Sequence, residues 1–291
     1  MLKRSIHRML VCCLLLGIVL PAASLTSCSS VQTQPPYEQL MQQARTSRWD
    51  TLSQQAQLLH FARAFIGQAY VGGSLEGDGP EQLRYRFDGF DCVTLVETAW
   101  ALQRHLQHPH NPIDFEDYLH QLISLRYRNA LLEDYTSRLH YTSDWIADKL
   151  RHNYAEVLVL PGLSQTFRPD VWFMSKHSDK YPALKAQPAF IPIMAAHEAR
   201  IRETLSFAYI PKQHVPQTVG SIQAGDILCI TTHLPGLDFS HMGIATAGPD
   251  GTLRMLHASS AQKAVVETQQ SLKDYLADIS HHTGIVVLRL R

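Results

Sequence analysis

Apolar positions along the chain follow three regimes. From 37 to 66 they recur at helical spacing, with Leu58, Leu59, Ala62, Phe65 and Ile66 on one stripe and Gly67 after them as a stop signal, which predicts helix over 37–66. Residues 68–90 hold Gly72, Gly73, Gly77, Gly79, Gly89 and Pro80 and read as a long shaped loop. The helical period returns from Cys92 to about Leu106, where Val93, Leu95, Val96, Ala99, Trp100 and Leu102 cover most of the circumference. A helix apolar nearly all round is a buried one. The stretch 107–215 mixes short helical segments with loops, broken by Pro161, Pro169, Pro182, Pro188, Pro192 and Pro211. Beyond it the period changes to two, and Asp226–Thr232, Met242–Ala247, Leu253–Ala258, Ala264–Glu267 and Gly284–Leu290 read as short strands. Helices first and antiparallel strands last predict an α+β architecture.

The first 27 residues read as an address. Lys3, Arg4 and Arg8 precede an apolar run from Met9 to Leu20, with no acid among them. That run is shorter than the roughly 20 apolar residues a membrane-crossing helix needs. Leu25-Thr26-Ser27-Cys28 resembles a lipobox, so Cys28 is expected to carry lipid, with plain cleavage as the alternative. The expected plan is a signal over 1–27, a polar tether over 28–36, and one catalytic domain over 37–291 with a helical insertion at about 107–215. The expected location is outside the cytoplasm, as a periplasmic or cell-envelope lipoprotein held to a membrane by its lipid.

Composition narrows the classes. The apolar fraction is 45% and the charged fraction 18%, ordinary for a globular protein. Basic and acidic residues balance at 26 each, which argues against a nucleic-acid partner. The chain holds 16 His, a rich supply for a histidine-based site.

Candidate chemistry centres on Cys92. It follows Gly89-Phe90-Asp91 and opens the buried helix. Unpaired amides at a helix start favour a thiolate and can hold an oxyanion. Asp91 opposes the thiolate, so a separate base is required. His241 and His257 flank a Pro249-Asp250-Gly251 turn in a hairpin pattern. Paired positions in a hairpin have a constant sum. A sum of 498 sets the two histidines directly opposite and 500 sets them diagonal, both on one face; an odd sum would separate them. On one face, His257 can orient His241, and His241 can take the Cys92 proton. Cys229, within Ile227-Leu228-Cys229-Ile230, reads as sheet core, and a Cys92–Cys229 bridge is the bland alternative. His105, His108 and His110, His197-Glu198 and His281-His282 form no recognisable metal-ligand spacing, so neither metal nor cofactor is expected.

Five ordered motifs then carry a resemblance: Tyr70-Val-Gly-Gly73, Phe90-Asp-Cys-Val-Thr-Leu-Val-Glu97, Gly225-Asp-Ile227, Ser240-His-Met-Gly-Ile244 and His257-Ala-Ser-Ser260. Together they resemble the NlpC/P60 superfamily of cell-wall cysteine hydrolases. Tyr135-Thr-Ser-Arg-Leu-His-Tyr-Thr-Ser-Asp-Trp145 narrows the resemblance to the N-acetylmuramoyl-L-alanine amidase-like family formerly called DUF1460, across about 50–291. It implies a papain-like core, with the nucleophile helix packed on an antiparallel sheet beside a helical insertion. It implies Cys92 as nucleophile, His241 as base and His257 as third polar residue, with Tyr70 lining the cleft. The implied reaction is hydrolysis between muramic acid and L-alanine in peptidoglycan or muropeptides. Asp91 matches a contact to a free peptide amine in related endopeptidases. Ser240 is a candidate substrate contact beside the base. Arg138 is the best candidate to hold the peptide, since Arg pairs well with carboxylates. Ser137, His140 and Tyr141 are candidates beside it, and a structural network fixing the insertion is the competing reading. Arg126 and Arg128 are expected at the surface or in ion pairs. Rival functions are a γ-D-glutamyl stem-peptide endopeptidase and a non-enzymatic wall-binding lipoprotein. A monomer is expected.

Overall fold

The computed structural model describes residues 35–108, 114–218 and 220–291. The export segment, Cys28, most of the tether and His110 therefore lie outside the described residues. Nothing described forms a helix long and apolar enough to cross a membrane.

Three helices stack first. α1 (Pro35–Thr46) and α2 (Gln54–Arg63) lead to α3 (Cys92–Leu106), and α4 (Phe115–Arg126) packs on α3 and, through Phe115 and Tyr118, on Tyr37 of α1. The boundaries of α3 are those the period indicates. Leu95, Val96, Ala99 and Leu102 are fully buried and Trp100 nearly so. The helix expected over 37–66 is instead broken. Arg48 sits in the left-handed region at φ 56°, and Trp49 turns inward to stack on His60 at 4.8 Å. Ser53 then recaps the chain by accepting from the Ala56 amide. Burying one indole outweighs the continuous helix.

The remaining elements in chain order are β1 (Ala69–Tyr70), β2 (Gly89–Phe90), α5 (Thr142–Arg151), β3 (Ala155–Val157), β4 (Gln165–Phe167), α6 (Phe173–Lys176), α7 (Pro182–Ala186), α8 (Phe190–Thr204), β5 (Phe207–Pro211), β6 (Ile227–Thr232), β7 (Phe239–Ala247), β8 (Leu253–Ser259), β9 (Ala264–Glu267), α9 (Leu272–Asp278) and β10 (His282–Leu290). They build a ten-stranded sheet in the order β2-β1-β9-β8-β7-β6-β10-β5-β4, with β3 paired to the far end of β10. All pairings are antiparallel except β1 with β2. Period two sorts the side chains. Ile227, Cys229, Met242, Ile244, Leu256 and Val286 join the core that contains α3. Leu228, Ile230, Ala245, Met255, Ile285 and Val287 join the core beneath α9.

The insertion expected to be helical is not wholly so. It returns three strands to the sheet, because β5 pairs with Gly284 and Ile285 while β3 pairs with Leu288–Leu290. Strands of three to five residues among prolines are too short to show a period of two. The same insertion carries α8, whose buried face meets Tyr135, Tyr141, Val171 and Met174 in a separate apolar cluster.

Candidate active site

Asp91 caps α3. Its Oδ1 accepts from the Val93 and Thr94 amides at 3.1 and 2.8 Å, and the Thr94 hydroxyl accepts from the Asp91 amide. This reciprocal cap sets Cys92 as the first helical residue with its thiol half-buried. Cys92 and Cys229 are both free, so no bridge joins them.

The β7–β8 hairpin pairs Ile244 with Leu256 and Ala245 with Met255, a constant sum of 500. His241 and His257 are therefore diagonal neighbours on one face. Their rings stand nearly perpendicular, with His241 Nε2 and His257 Nδ1 2.6 Å apart. An irregularity in the β6–β7 ladder between Ile230 and Thr231 lies opposite Ser240 and gives the turn into His241 its local bend. A cavity of about 240 Å³ brings Cys92, His241, Ser240, His140, Tyr141 and Tyr181 together. The backbone amide of Met242, next to His241, is directed at the Cys92 thiol.

The histidine contact assigns the ring atoms. His241 Nε2 is engaged with His257, which leaves Nδ1 for proton exchange with a thiol. If Nδ1 is the proton acceptor, Nε2 carries hydrogen and donates to His257 Nδ1. The remaining proton of His257 then sits on Nε2, a buried atom with no protein partner.

Burial dominates the titration of the site. It lowers His241 to about 3, aided by His257 and His282, and lowers His257 to about 4. Burial and the Asp91 carboxylate push the Cys92 thiol up to about 12, against the lowering pull of nearby amides. The amides at the helix start pull the thiol down as the sequence suggests, and burial together with Asp91 outweighs them. Burial thus acts against charge on the thiol and on both rings.

Other candidates separate into those at the cavity and those away from it. Ser240 lines it, and its hydroxyl is buried without a partner. His140 lines it and donates Nε2–H to the Tyr135 carbonyl at 2.7 Å; burial and then Arg138 hold its ring neutral. Tyr141 lines it and donates its hydroxyl to Glu198 at 2.7 Å. Tyr70 stands close enough for burial, Cys92 and Asp91 to raise its phenol. Arg138 does not line this cavity. It is 4% exposed, donates to the Leu75 carbonyl at 2.8 Å and to Glu76 at 2.6 Å, and lies 3.7 Å from Glu81. Ser137 donates to the Asp134 carbonyl and accepts from the Glu133 amide, fixing a turn. Those two fit the network reading. Arg126 is not at the surface: it is 2% exposed and paired with Glu97 at 2.7 Å. Arg128 pairs with Asp144 at 2.5 Å.

Two residues near the histidines escape sequence reasoning. Tyr275 of α9 packs edge-on to His257 at 5.3 Å and lies 6.2 Å from His241. Its other neighbour is the buried His282, stacked at 5.8 Å. A helix of seven residues is too short for a period, although Ser271 and Asp274 carry a capping signal that the structure uses. Asp238 is also unforeseen. It accepts from the Ser143 amide and hydroxyl at 2.8 and 2.6 Å, tying the start of α5 to the segment before β7. Among the described residues, no three His, Cys, Asp or Glu side chains converge as a metal-ligand set.

The family model described as AmiA-like, N-acetylmuramoyl-L-alanine amidase-like, matches residues 60–285. No curated protein matches the sequence. A solved N-acetylmuramoyl-L-alanine amidase from Bacteroides uniformis is 35% identical, with TM-score 0.75, over 80% of this chain and 98% of that one. A Bacteroides fragilis structure described as a candidate xylanase is 35% identical, with TM-score 0.73, over 79% of this chain and 100% of its own. A Legionella pneumophila structure carrying the DUF1460 family model, 22% identical with TM-score 0.60 over 88% of this chain and 94% of its own, shares the fold. With 226 consecutive residues matched and a mixed α+β fold shared, the chain belongs to the N-acetylmuramoyl-L-alanine amidase-like family.

Proposed function

We propose that the protein is a cysteine hydrolase of the NlpC/P60 type, with a papain-like core, that cleaves the amide between N-acetylmuramic acid and L-alanine in peptidoglycan or its fragments. The observation that carries this reading is the single cavity holding Cys92 at a helix start beside the bonded His241–His257 pair. His241 Nδ1 takes the thiol proton as sulfur attacks the lactyl carbonyl. The Cys92 amide, free at the helix start, helps hold the oxyanion. His241 then returns the proton to the departing L-alanine nitrogen, which breaks the C–N bond and leaves a thioester. Water, deprotonated by the same ring, releases the lactyl acid and restores the thiol. His257 keeps His241 in the required tautomer through the 2.6 Å contact.

A glycosidase reading is less well supported, since that chemistry requires two carboxyl groups flanking the bond. Asp238 is the one acid lining the cavity, and its oxygens are taken up by Ser143 and Phe239. The basic and apolar start that ends at Cys28 supports export and lipid attachment at the cell envelope. Mass spectrometry of digested muropeptides tests the reaction. Free sugar with an intact stem peptide is expected. Release of L-Ala-γ-D-Glu would instead assign a stem-peptide endopeptidase, and undigested material in the presence of intact protein would leave only a wall-binding role.

A further inference from the structure

Beside the catalytic cavity lies a second, wider one of about 710 Å³, bounded by Trp172, Ser175, Lys176, His177, Glu198 and Arg202. Its volume suits a ligand of a few residues. The two share a wall. Met174 faces the catalytic cavity and its neighbour Ser175 faces the wider one. Hydrogen bonds hold this wall rigid. The Tyr141 hydroxyl accepts from the Met174 amide at 2.9 Å and donates to Glu198, while Glu198 accepts from the Ser175 amide at 3.0 Å and from its hydroxyl. Trp172 is fixed as well. Gly236, at φ 77°, lies so flat on the indole that a Cβ there would stand 2.8 Å from the ring. Its carbonyl accepts from the Trp172 and Phe173 amides at 3.2 Å, and the next residues, Leu237 and Asp238, line the catalytic cavity.

Charge distinguishes this groove. Lys176 and Arg202 are exposed, and neither has a carboxylate within ion-pair distance among the described residues. Arg202 is held in place by an N–H donated to the Val171 carbonyl. The one acid in the lining, Glu198, is 1% exposed and saturated by the hydrogen bonds above. A cavity of about 440 Å³ bounded by Tyr135 and Pro182 is lined by Glu76, Asp78, Glu81, Glu133 and Asp134 against the one cation Arg84, an excess of acids that disfavours a carboxylate. Tyr181 feels an acid from each of these two cavities, since burial, Glu76 and Glu198 together raise its phenol.

We propose that the groove of Trp172, Lys176 and Arg202 is a subsite for the carboxylate-bearing stem peptide of the substrate, seated while Cys92 faces the amide. The inference rests on the proposed amidase reading and adds where the peptide lies and which of its groups is recognised. A cation held in place at Arg202 and a second at Lys176, beside an aromatic wall, bind a carboxylate more tightly than its carboxamide.

The test uses the full chain as the Cys92→Ala variant, so that binding is read without turnover. Calorimetry compares N-acetylmuramoyl-L-alanyl-D-glutamic acid blocked at its γ-carboxyl as the methylamide, which keeps one free carboxylate, with the same compound carrying an α-carboxamide in its place. The free acid is expected to bind about ten-fold tighter at low salt. That preference should shrink with added salt, fall when Lys176→Ala is introduced, and vanish with Lys176→Ala and Arg202→Ala together. Thermal melting confirms that the variants fold; the Lys176 side chain has no hydrogen-bond partner among the described residues, so the single variant stands even if Arg202→Ala loosens Val171. Equal affinity for acid and amide, a preference unchanged in the Lys176→Ala variant, or no binding of either ligand overturns the proposal. Turnover by the unmodified protein is measured in parallel. Its absence counts against the amidase reading, whereas turnover with KM unchanged in the lysine variant counts against the subsite alone.

Discussion

The thiol–histidine centre and the arginine-rich insertion are both buried and polar, yet they are built on opposite rules. In the insertion the buried charges are matched. Arg126 meets Glu97, Arg138 meets Glu76 and Glu81, Arg128 and Arg200 share Asp144, and Lys149 and Arg151 share Asp148. Buried polar atoms without partners occur in both regions, on Tyr135, Arg138 and Trp145 in the insertion among others, but at the centre they fall on the Ser240 hydroxyl, His257 Nε2 and His282 Nδ1, close to the nucleophile. Unmade hydrogen bonds cost stability, and at the centre that cost falls on rings that can carry a proton. Paired charges hold shape, while the neutral rings at the centre are available to exchange protons.

The comparison breaks most sharply at Cys92. Cys92→Ala is expected to cut turnover by about 10⁴-fold or more while leaving the melting temperature nearly unchanged, as assayed on muropeptides and by calorimetry. A variant that keeps substantial turnover would place the chemistry elsewhere. The mirror-image experiment is Arg126→Leu, which strands Glu97 in the core. It should destabilise the fold by about 3–5 kcal/mol in denaturant titration, with KM of the folded fraction unchanged. A selective rise in KM would give that network a substrate role.

Acid should separate the two regions. His140, His241, His257 and His282 have folded values held below 6.5, chiefly by burial. The unfolded chain therefore binds protons first, and their share of stability is lost as pH falls from about 6.5 toward 3–4. Asp144 resists its own burial through Arg128 and Arg200, which hold it below 3.8, so its contribution survives until pH drops beneath that value. Melting temperature followed from pH 8 to pH 3 should decline first in the histidine window. A flat profile down to pH 4 would contradict the burial of neutral imidazoles. The smallest effect is expected at Tyr275. Tyr275→Leu should lower kcat about ten-fold and move the acidic limb of kcat upward as water reaches the ring pair, whereas Tyr275→Phe should restore both. A loss shared equally by both variants would point to the hydroxyl instead of the ring.

The same division explains what could be read from the chain alone. The helix Cys92–Leu106 and the five late strands are legible because the helix is enclosed nearly all round and the strands send alternate side chains into two cores, and their ends fall within a few residues of expectation. The hairpin register was limited to even or odd by alternation, and the structure selects the sum of 500. Arg138 was ambiguous for a physical reason: a guanidinium that could grip a peptide carboxylate is equally suited to Glu76, and only the fold shows that Glu76 arrives first. Trp49 was invisible for a similar reason, since the contact that breaks the first helix is with a ring eleven residues away. Strands β3 to β5 depend on β10, more than 70 residues downstream, for their partner or their neighbour's partner.

One feature of the sheet bears on how the protein behaves in a crowded compartment. Its two ends are β2, of two residues, and β4, of three. A broad sheet usually invites strand-by-strand addition from other chains, because its margin offers a row of unpaired amides and carbonyls. Margins this short give an incoming strand only one or two bonds to make. Aggregation through the sheet edge is disfavoured by geometry, without any charge placed there to prevent it.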